Sequence, residues 1–369
     1  MAAVSMHGIE LREARFQDYK AIAALEASQG LVSKPVEEWH HLWTGNPCYE
    51  EIGPRWPIGW VLEDRDQIVG CLLNVPLWYS FRKRKLLAAV GRGWTVADKY
   101  SGYAPMLLSE YFNQDYVDLF LTSTANEEAA EAFSSFGSLR VPVGNWAAAP
   151  FAITEHRGFA ESALRIKGIP LPGVLSYPAG VLLSIKDRFT ARSIPKTDID
   201  ITVARDFDRR FDSFWEILSE RSEALVAMRT RAVLKWHFSA PADKHRLWVL
   251  TAARNGNLDA YAVFQRHDEP QYGLTRMRMV DFQACDWTDQ YCAALLGRAY
   301  EECRSQGIHV LEKVGCELAK TRIFDRFASY RRALPNWSFF YLTKDEELAQ
   351  DLEKPEAWEV SSYDADASL

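Results

Sequence analysis

The chain has 369 residues, too many for one ordinary core and suited to about two domains. Hydrophobic residues make up 48% and charged residues 25%, a balance that folds instead of staying disordered. The formal net charge of -7 argues against a protein whose main partner is duplex nucleic acid or an anionic membrane surface. No apolar run reaches the length needed to span a bilayer, and Glu10 and Glu13 precede any stretch of signal-peptide length, so a cytoplasmic location is expected.

In chain order, Ile9 to Ala14 alternates like a strand and Gln17 to Ala27 has apolar residues at helical spacing. A short strand ends at Glu63, the Asp64-Arg65-Asp66 turn follows, and Ile68 to Ser80 has the β-branched and aromatic content of a second strand. Phe81 to Lys85 (FRKRK) reads as a solvated hairpin tip in preference to a basic patch, and Leu86 to Val96 as the third strand of a meander. From Val96 to Phe112 a strand runs into a turn holding Gly102 and then a helix seated by Met106, Leu107 and Phe112. Such a turn can aim backbone N–H groups at an anion, with Lys99 adding a charge, although an ordinary strand-turn-helix has the same appearance.

Residues 151–200 are dense in breakers (Pro170, Pro172, Pro178, Pro195, Gly158, Gly168, Gly173, Gly180) and read as a connection, not a third core. The end of the chain, residues 346–369, is expected to hold a helix and a strand. Its carboxylates Asp364 and Asp366 are expected to be solvated, the alternative being a site for a cationic amine.

The two halves repeat one pattern. Trp43 and Pro47 recur as Trp236 and Pro241, and the segment from Trp60 recurs from Trp248. Tyr103, Leu107, Leu108 and Phe112 match Tyr291, Leu295, Leu296 and Tyr300 at a single constant offset, and FSSFG from Phe133 answers FDRFA from Phe324. Strands and helices in this order give an α/β (α+β) fold of two related domains, residues 1–150 and 201–345.

Lys99-x-x-Gly102-x-Ala104 resembles the pyrophosphate loop of the GCN5-related N-acetyltransferases, with Lys in the basic first position. TSTANEEAAEAFSSFG is similar to that family's next motif: a strand ending near Ser123, then Asn126, then a helix with Ala129 and Phe133, closing at Gly137. The resemblance implies two domains of this type, each a mixed, mostly antiparallel sheet flanked by helices. It further implies an N-acyltransferase that takes acetyl-CoA, or another acyl-CoA, to a small-molecule amine. By the same resemblance, Trp94, Thr95 and Val96 pair with the pantetheine arm. Lys99, Tyr100, Ser101, Gly102, Tyr103 and Ala104 hold the pyrophosphate, and Asn126 and Phe133 complete the cofactor wall. Ser123, Thr124 and Asn126 are candidates to hold water or cofactor, with Ser123 and Asn126 placed in the catalytic set; helix capping explains Asn126 equally well.

Two departures stand out. Phe133 occupies the position where many members carry the tyrosine that protonates the leaving thiolate. In the second half Trp287, Gln290 and Cys292 stand opposite Lys99, Gly102 and Ala104, flanked by Asp286 and Asp289, a loop that repels a pyrophosphate. One cofactor, in the first domain, is therefore expected. Phe133 motivates the alternative of an inactive two-lobed binding protein, and a Fem-type aminoacyl transferase shares the two-lobed plan. The eight histidines form no HxxxH pair, so no metal is invoked. The six cysteines include no CxxC and read as buried thiols, not nucleophiles. GxSxG and P-loop signatures are missing from the sequence.

Overall fold

The computed structural model describes residues 4–6, 8–144, 146–190, 197–285, 289–315, 322–334 and 337–369. The first half begins with β1 (Val4–Met6), β2 (Ile9–Glu13), α1 (Tyr19–Ser28), α2 (Val36–His41) and α3 (Pro47–Ile52). The meander of β3 (Gly59–Asp64), β4 (Gln67–Phe81) and β5 (Arg84–Val96) follows. Its two hairpins turn at Arg65-Asp66 and Arg82-Lys83, all four with positive φ, as a tight turn matching the strand twist requires. Next come α4 (Ala104–Phe112), β6 (Leu119–Ala125), α5 (Glu127–Ser135), β7 (Leu139–Arg140) and β8 (Ala148–Ile153).

The breaker-rich stretch forms two helices, α6 (His156–Ile166) and α7 (Pro172–Thr190); Pro172 stands at the first position of α7, where it lacks no needed N–H, and Pro178 lies inside that helix. The second half holds β9 (Ile201–Ala204), α8 (Arg210–Arg221), β10 (Val226–Ala227), α9 (Arg231–His237) and α10 (Ser239–Asp243). Its own meander is β11 (Leu247–Arg254), β12 (Asn257–Arg266) and β13 (Arg276–Ala284). The remaining elements are α11 (Asp289–Ser305), β14 (Val310–Lys313), α12 (Arg322–Phe327), β15 (Tyr330–Ala333), β16 (Ser338–Leu342) and α13 (Glu346–Leu352).

Two mostly antiparallel sheets result, flanked by helices, in agreement with the expected fold class. One runs β1-β2-β3-β4-β5-β6-β16-β7 with β10 joined to β4, and the other runs β15-β8-β14-β13-β12-β11-β9. The sheets exchange strands: β16, from the second half, lies between β6 and β7, while β8, from the first half, lies between β14 and β15. Residue 150 therefore falls inside a strand of the second sheet.

The end of the chain departs from the sequence reading. Helix α13 forms, but residues 358–369 make turns with one bridge from Trp358 to Leu225 instead of a strand. Nor is this segment solvated: Asp364 and Asp366 are buried, 0% and 6% exposed. It threads between the lobes, where the Ala365 N–H donates to Tyr79 Oη of β4, Tyr363 Oη donates to the Met228 carbonyl, and Ser362 Oγ donates to the Val280 carbonyl of β13.

A buried charge cluster pins the tail. Arg229 makes two bonds to Asp281, at 2.9 and 3.0 Å, and sits 3.5 Å from Asp364, all three fully or almost fully buried. Two carboxylates share one guanidinium, so burial together with the nearby Asp281 charge outweighs Arg229 and pushes the Asp364 carboxyl up to about 6. A carboxyl that holds its proton more tightly folded than unfolded stabilises the fold at acid pH, and that contribution fades as pH rises from about 4 through about 6. Tyr79, Tyr261 and Tyr363 face the same cluster and stay neutral across this window. We therefore expect Asp364→Asn to gain stability relative to the parent on going from pH 4 to pH 7, by up to about 3 kcal/mol, measured as the difference between two urea titration series. A difference independent of pH would remove Asp364 from this role.

His237 is driven down to about 3 by burial, so it is neutral at physiological pH, whereas His267 is exposed. Cys48, Cys71, Cys292 and Cys303 are buried, and burial raises the thiols of Cys48, Cys71 and Cys303; Cys316 lies outside the described residues.

Candidate functional site

The first sheet opens where β5 and β6 part. These strands pair in parallel only from Ala88–Leu119 to Val90–Leu121, after which β5 continues to Val96 and β6 to Ala125 without facing partners. Tyr111 Oη, from α4, lies at the fork and bonds the carbonyls of both Ala89 and Leu121 at 2.7 and 3.1 Å. Gly91 makes room for it, since a Cβ there would approach the Tyr111 ring at 3.3 Å. Beyond the fork β5 carries a bulge: Leu73 pairs with Arg92 and Cys71 with Thr95, leaving Gly93 and Trp94 opposite Leu72 alone. Gly93 holds φ +62 there, which favours glycine, and a Cβ on it would push aside the end of the Glu26 side chain, whose Oε1 would lie at 2.9 Å.

The fork opens into a cavity of about 360 Å³. Trp94, Thr95, Val96, Ser101, Ala104, Thr124, Asn126 and Phe133 from the sequence reading all line it, together with Gly91, Gly93, Thr122, Ala129 and Asp366. Lys99, Tyr100, Gly102, Tyr103 and Ser123 do not. Lys99 is exposed and lies over the Tyr100 ring, Tyr100 Oη donates to Asp64 at 2.6 Å, and a Cβ on Gly102 would meet only open space. The loop is a 3-10 turn over Asp98–Tyr103, and the charged side chain it gives the cavity is Asp98, not Lys99.

Ser123 and Asn126 are both engaged. Asn126 caps α5, accepting from the Ala129 N–H at 2.8 Å. Ser123 is buried, and its N–H and Oγ both donate to Asp366 Oδ1, at 2.6 and 2.8 Å, while Thr124 Oγ1 donates to Asp366 Oδ2. The open edge of β6 thus clamps a carboxylate from the tail onto the cavity wall. Phe133 is 4% exposed and packs edge-on to Trp94 at 6.2 Å, leaving no hydroxyl at that position. Trp94 Nε1 is buried with no hydrogen-bond partner.

Sequence reasoning expected Asp366 to be a solvated end group, with a site for a cationic amine as the alternative, and did not single out Glu26, Gly93 or Arg92. The acidic tail gave a composition signal without a location. Arg92 stands next to the bulge, and burial lowers its basicity against the opposing charges of Asp366 and Glu26.

A second cavity, of about 590 Å³, lies between the lobes. Lys34, Glu38 and His41 line one side, Trp236, His237, Lys244, Arg266 and Asp268 the other, and Ser368 and Leu369 close it. Here the repeated Trp segments meet: Trp236 Nε1 donates to the His41 carbonyl at 2.7 Å. Burial and the Arg92 charge bring the Lys34 ammonium down to about 8. Asp366 borders the first cavity and Ser368 the second, so the tail spans both.

In the second sheet β13 and β14 also pair in parallel, from Arg276–Val310 to Met279–Lys313. Gln290 is exposed at the start of α11, Cys292 is fully buried, and Asp286 and Trp287 lie outside the described residues. Among the described residues no group of His, Cys, Asp and Glu could hold a metal ion, and no helix is long and apolar enough to cross a membrane.

No protein-family model matches the chain, and no curated protein matches it in sequence. Solved structures do match in fold. A GCN5-related N-acetyltransferase from Anabaena variabilis aligns over 91% of this chain and 73% of its own, at 10% identity and a TM-score of 0.54. One from Kribbella flavida aligns over 91% and 71%, at 8% identity and 0.56. Saccharomyces cerevisiae N-myristoyltransferase with bound myristoyl-CoA aligns over 92% and 83%, at 10% identity and 0.55. With its two sheets, each a meander running into a parallel pair, the chain has the fold of the GCN5-related N-acetyltransferases in tandem.

Proposed function

We propose that the protein transfers an acyl group from acyl-CoA to an amine, with the thioester lying in the fork between β5 and β6. The observation that carries this reading is the fork itself, where β5 and β6 stop pairing with each other and border one cavity that also holds an anchored carboxylate. An extended polyamide arm fits the β5 edge there, because buried backbone N–H and C=O groups need partners, while on β6 the Ser123 N–H and carbonyl are taken by Asp366 and Trp146. The orphaned Trp94 Nε1 and the side-chain-free Gly91 and Gly93 suit the same occupant. Acyl-CoA, when bound, supplies an acyl group activated as a thioester.

The chain's own part follows from its geometry. The backbone at the Gly93–Trp94 bulge offers N–H groups to polarise a carbonyl oxygen. Asp366 accepts the proton that the attacking ammonium must lose, held in place by Ser123 and Thr124. Ser123 and Thr124 are thus positioning residues. The amine enters from the interlobe cavity, whose carboxylates Glu38 and Asp268 lie beside cations. Phe133 offers no acid to the departing thiolate, which leaves without help from that position.

Isothermal titration with acetyl-CoA and myristoyl-CoA tests the reading. One acyl-CoA should bind per chain, and Ala129→Trp, which fills the fork from α5, should weaken it at least tenfold without changing the melting temperature. Absence of binding for both thioesters defeats the proposal. Binding without transfer across an amine panel would favour the two-lobed binding protein that Phe133 suggests.

A further inference from the structure

Helix α7 carries its apolar face outward. Leu171, Val174, Val181, Leu182 and Phe189 are 72%, 66%, 58%, 68% and 86% exposed, and Leu175, Tyr177 and Ile185 are exposed beside them. The side it turns toward the protein is small and polar. Ser176 is fully buried, Gly180 packs so closely on α6 that a Cβ would stand 3.0 Å from Arg157 Cα, and Asp187 bonds His156 and Tyr330 at 2.9 and 2.8 Å. An amphipathic helix normally does the reverse. The outward face therefore calls for a cover.

We propose that this cover is the same helix of a second copy, and that the protein is a dimer paired along α7. Three observations select that occupant. Leu175, Pro178, Leu182, Ile185 and Phe189 follow one another along α7 at alternating steps of three and four, the spacing of a coiled-coil seam. From Gly168 to Ile185 the sequence contains no charged residue, so two such faces meet without repulsion and offer an oppositely charged partner nothing to pair with. Finally, the apolar surface exposed here is on the order of 500 Å², at the top of the range for the largest patch on a monomer. With a polar rim it approaches the roughly 800 Å² per partner of a stable interface.

The pairing is antiparallel. That arrangement sets Leu175 against Ile185 and Pro178 against Leu182, and it keeps the basic ends at Lys186 and Arg188 apart. A lipid surface is the competing occupant, and the overall charge of -7 counts against an anionic one.

Sedimentation equilibrium of the full chain at micromolar concentration should give the mass of a dimer. Leu182→Glu should weaken the dimer at least 100-fold while circular dichroism and melting temperature stay unchanged. Val181→Lys, at the neighbouring exposed position, repeats the test independently should the first variant fold poorly. A monomeric parent protein overturns the proposal, as does a dimer that survives both substitutions. A parent that stays monomeric and pellets with phosphatidylglycerol vesicles overturns it in favour of the membrane.

Discussion

Asp366→Asn is expected to lower kcat for acyl transfer by about 10² to 10⁴, the range in which a positioned proton acceptor contributes. The dissociation constant for acyl-CoA should change less than about threefold. Asn preserves the shape of the contact, since its Oδ1 still accepts from the Ser123 N–H and Oγ and its amide can face Thr124. What is lost is the capacity to take a proton. Ser123→Ala should lower kcat less, because the Ser123 N–H and Thr124 still hold the carboxylate. Stopped assays over a range of amine concentrations separate the two effects, and unchanged kcat in Asp366→Asn would remove this residue from the chemistry.

The largest effect on stability is expected at Arg229. Replacing it with Met leaves Asp281 and Asp364 buried without a counter-charge and the Ala227 carbonyl without its donor, at a cost of about 3 to 5 kcal/mol. The tail is fastened through this cluster, by Ser361 Oγ donating to Asp281 and the Ser361 N–H donating to Asp364, so the loss should also free the tail. Limited proteolysis should then cut within residues 358–369 before the rest of the chain unfolds. Adding Asp364→Asn should recover part of the stability, because one of the two stranded carboxylates is gone. An Arg229→Met protein as stable as its parent, with a protected tail, would show that packing and not charge fastens it.

The two effects share an origin, since one tail supplies a carboxylate to the fork and locks the lobes together. A variant that loosens the lock should lose transfer as well, through displacement of Asp366. Arg229→Met should therefore lower kcat although Arg229 does not line the fork.

The meander of the first half can be read from its residues alone. Alternation from Ile9, the charged turns at Asp64-Arg65-Asp66 and Phe81–Lys85, and the apolar runs between them specify a three-strand meander, because side chains on a strand alternate faces and a tight turn takes few residues. The matched Trp and Tyr positions showed that the same plan occurs twice. Several residues of the fork were legible too, Trp94, Thr95, Val96, Ser101, Ala104, Asn126 and Phe133, since strand ends and helix starts have local signatures.

The rest depends on contacts between distant parts of the chain. Which strand fills the gap beside β6 is not a local property: β8 and β16 are both short apolar strands, backbone pairing is indifferent to which half supplies the partner, and the chain exchanges them. The bulge at Gly93–Trp94 depends on register against β4, which the sequence of β5 does not contain. The fate of the tail lay furthest from sequence reasoning. An acidic end reads as solvated because isolated carboxylates prefer water, yet Arg229, Ser123 and Thr124 bring charge and hydrogen bonds from positions more than a hundred residues away, and that convergence makes burial of Asp364 and Asp366 affordable.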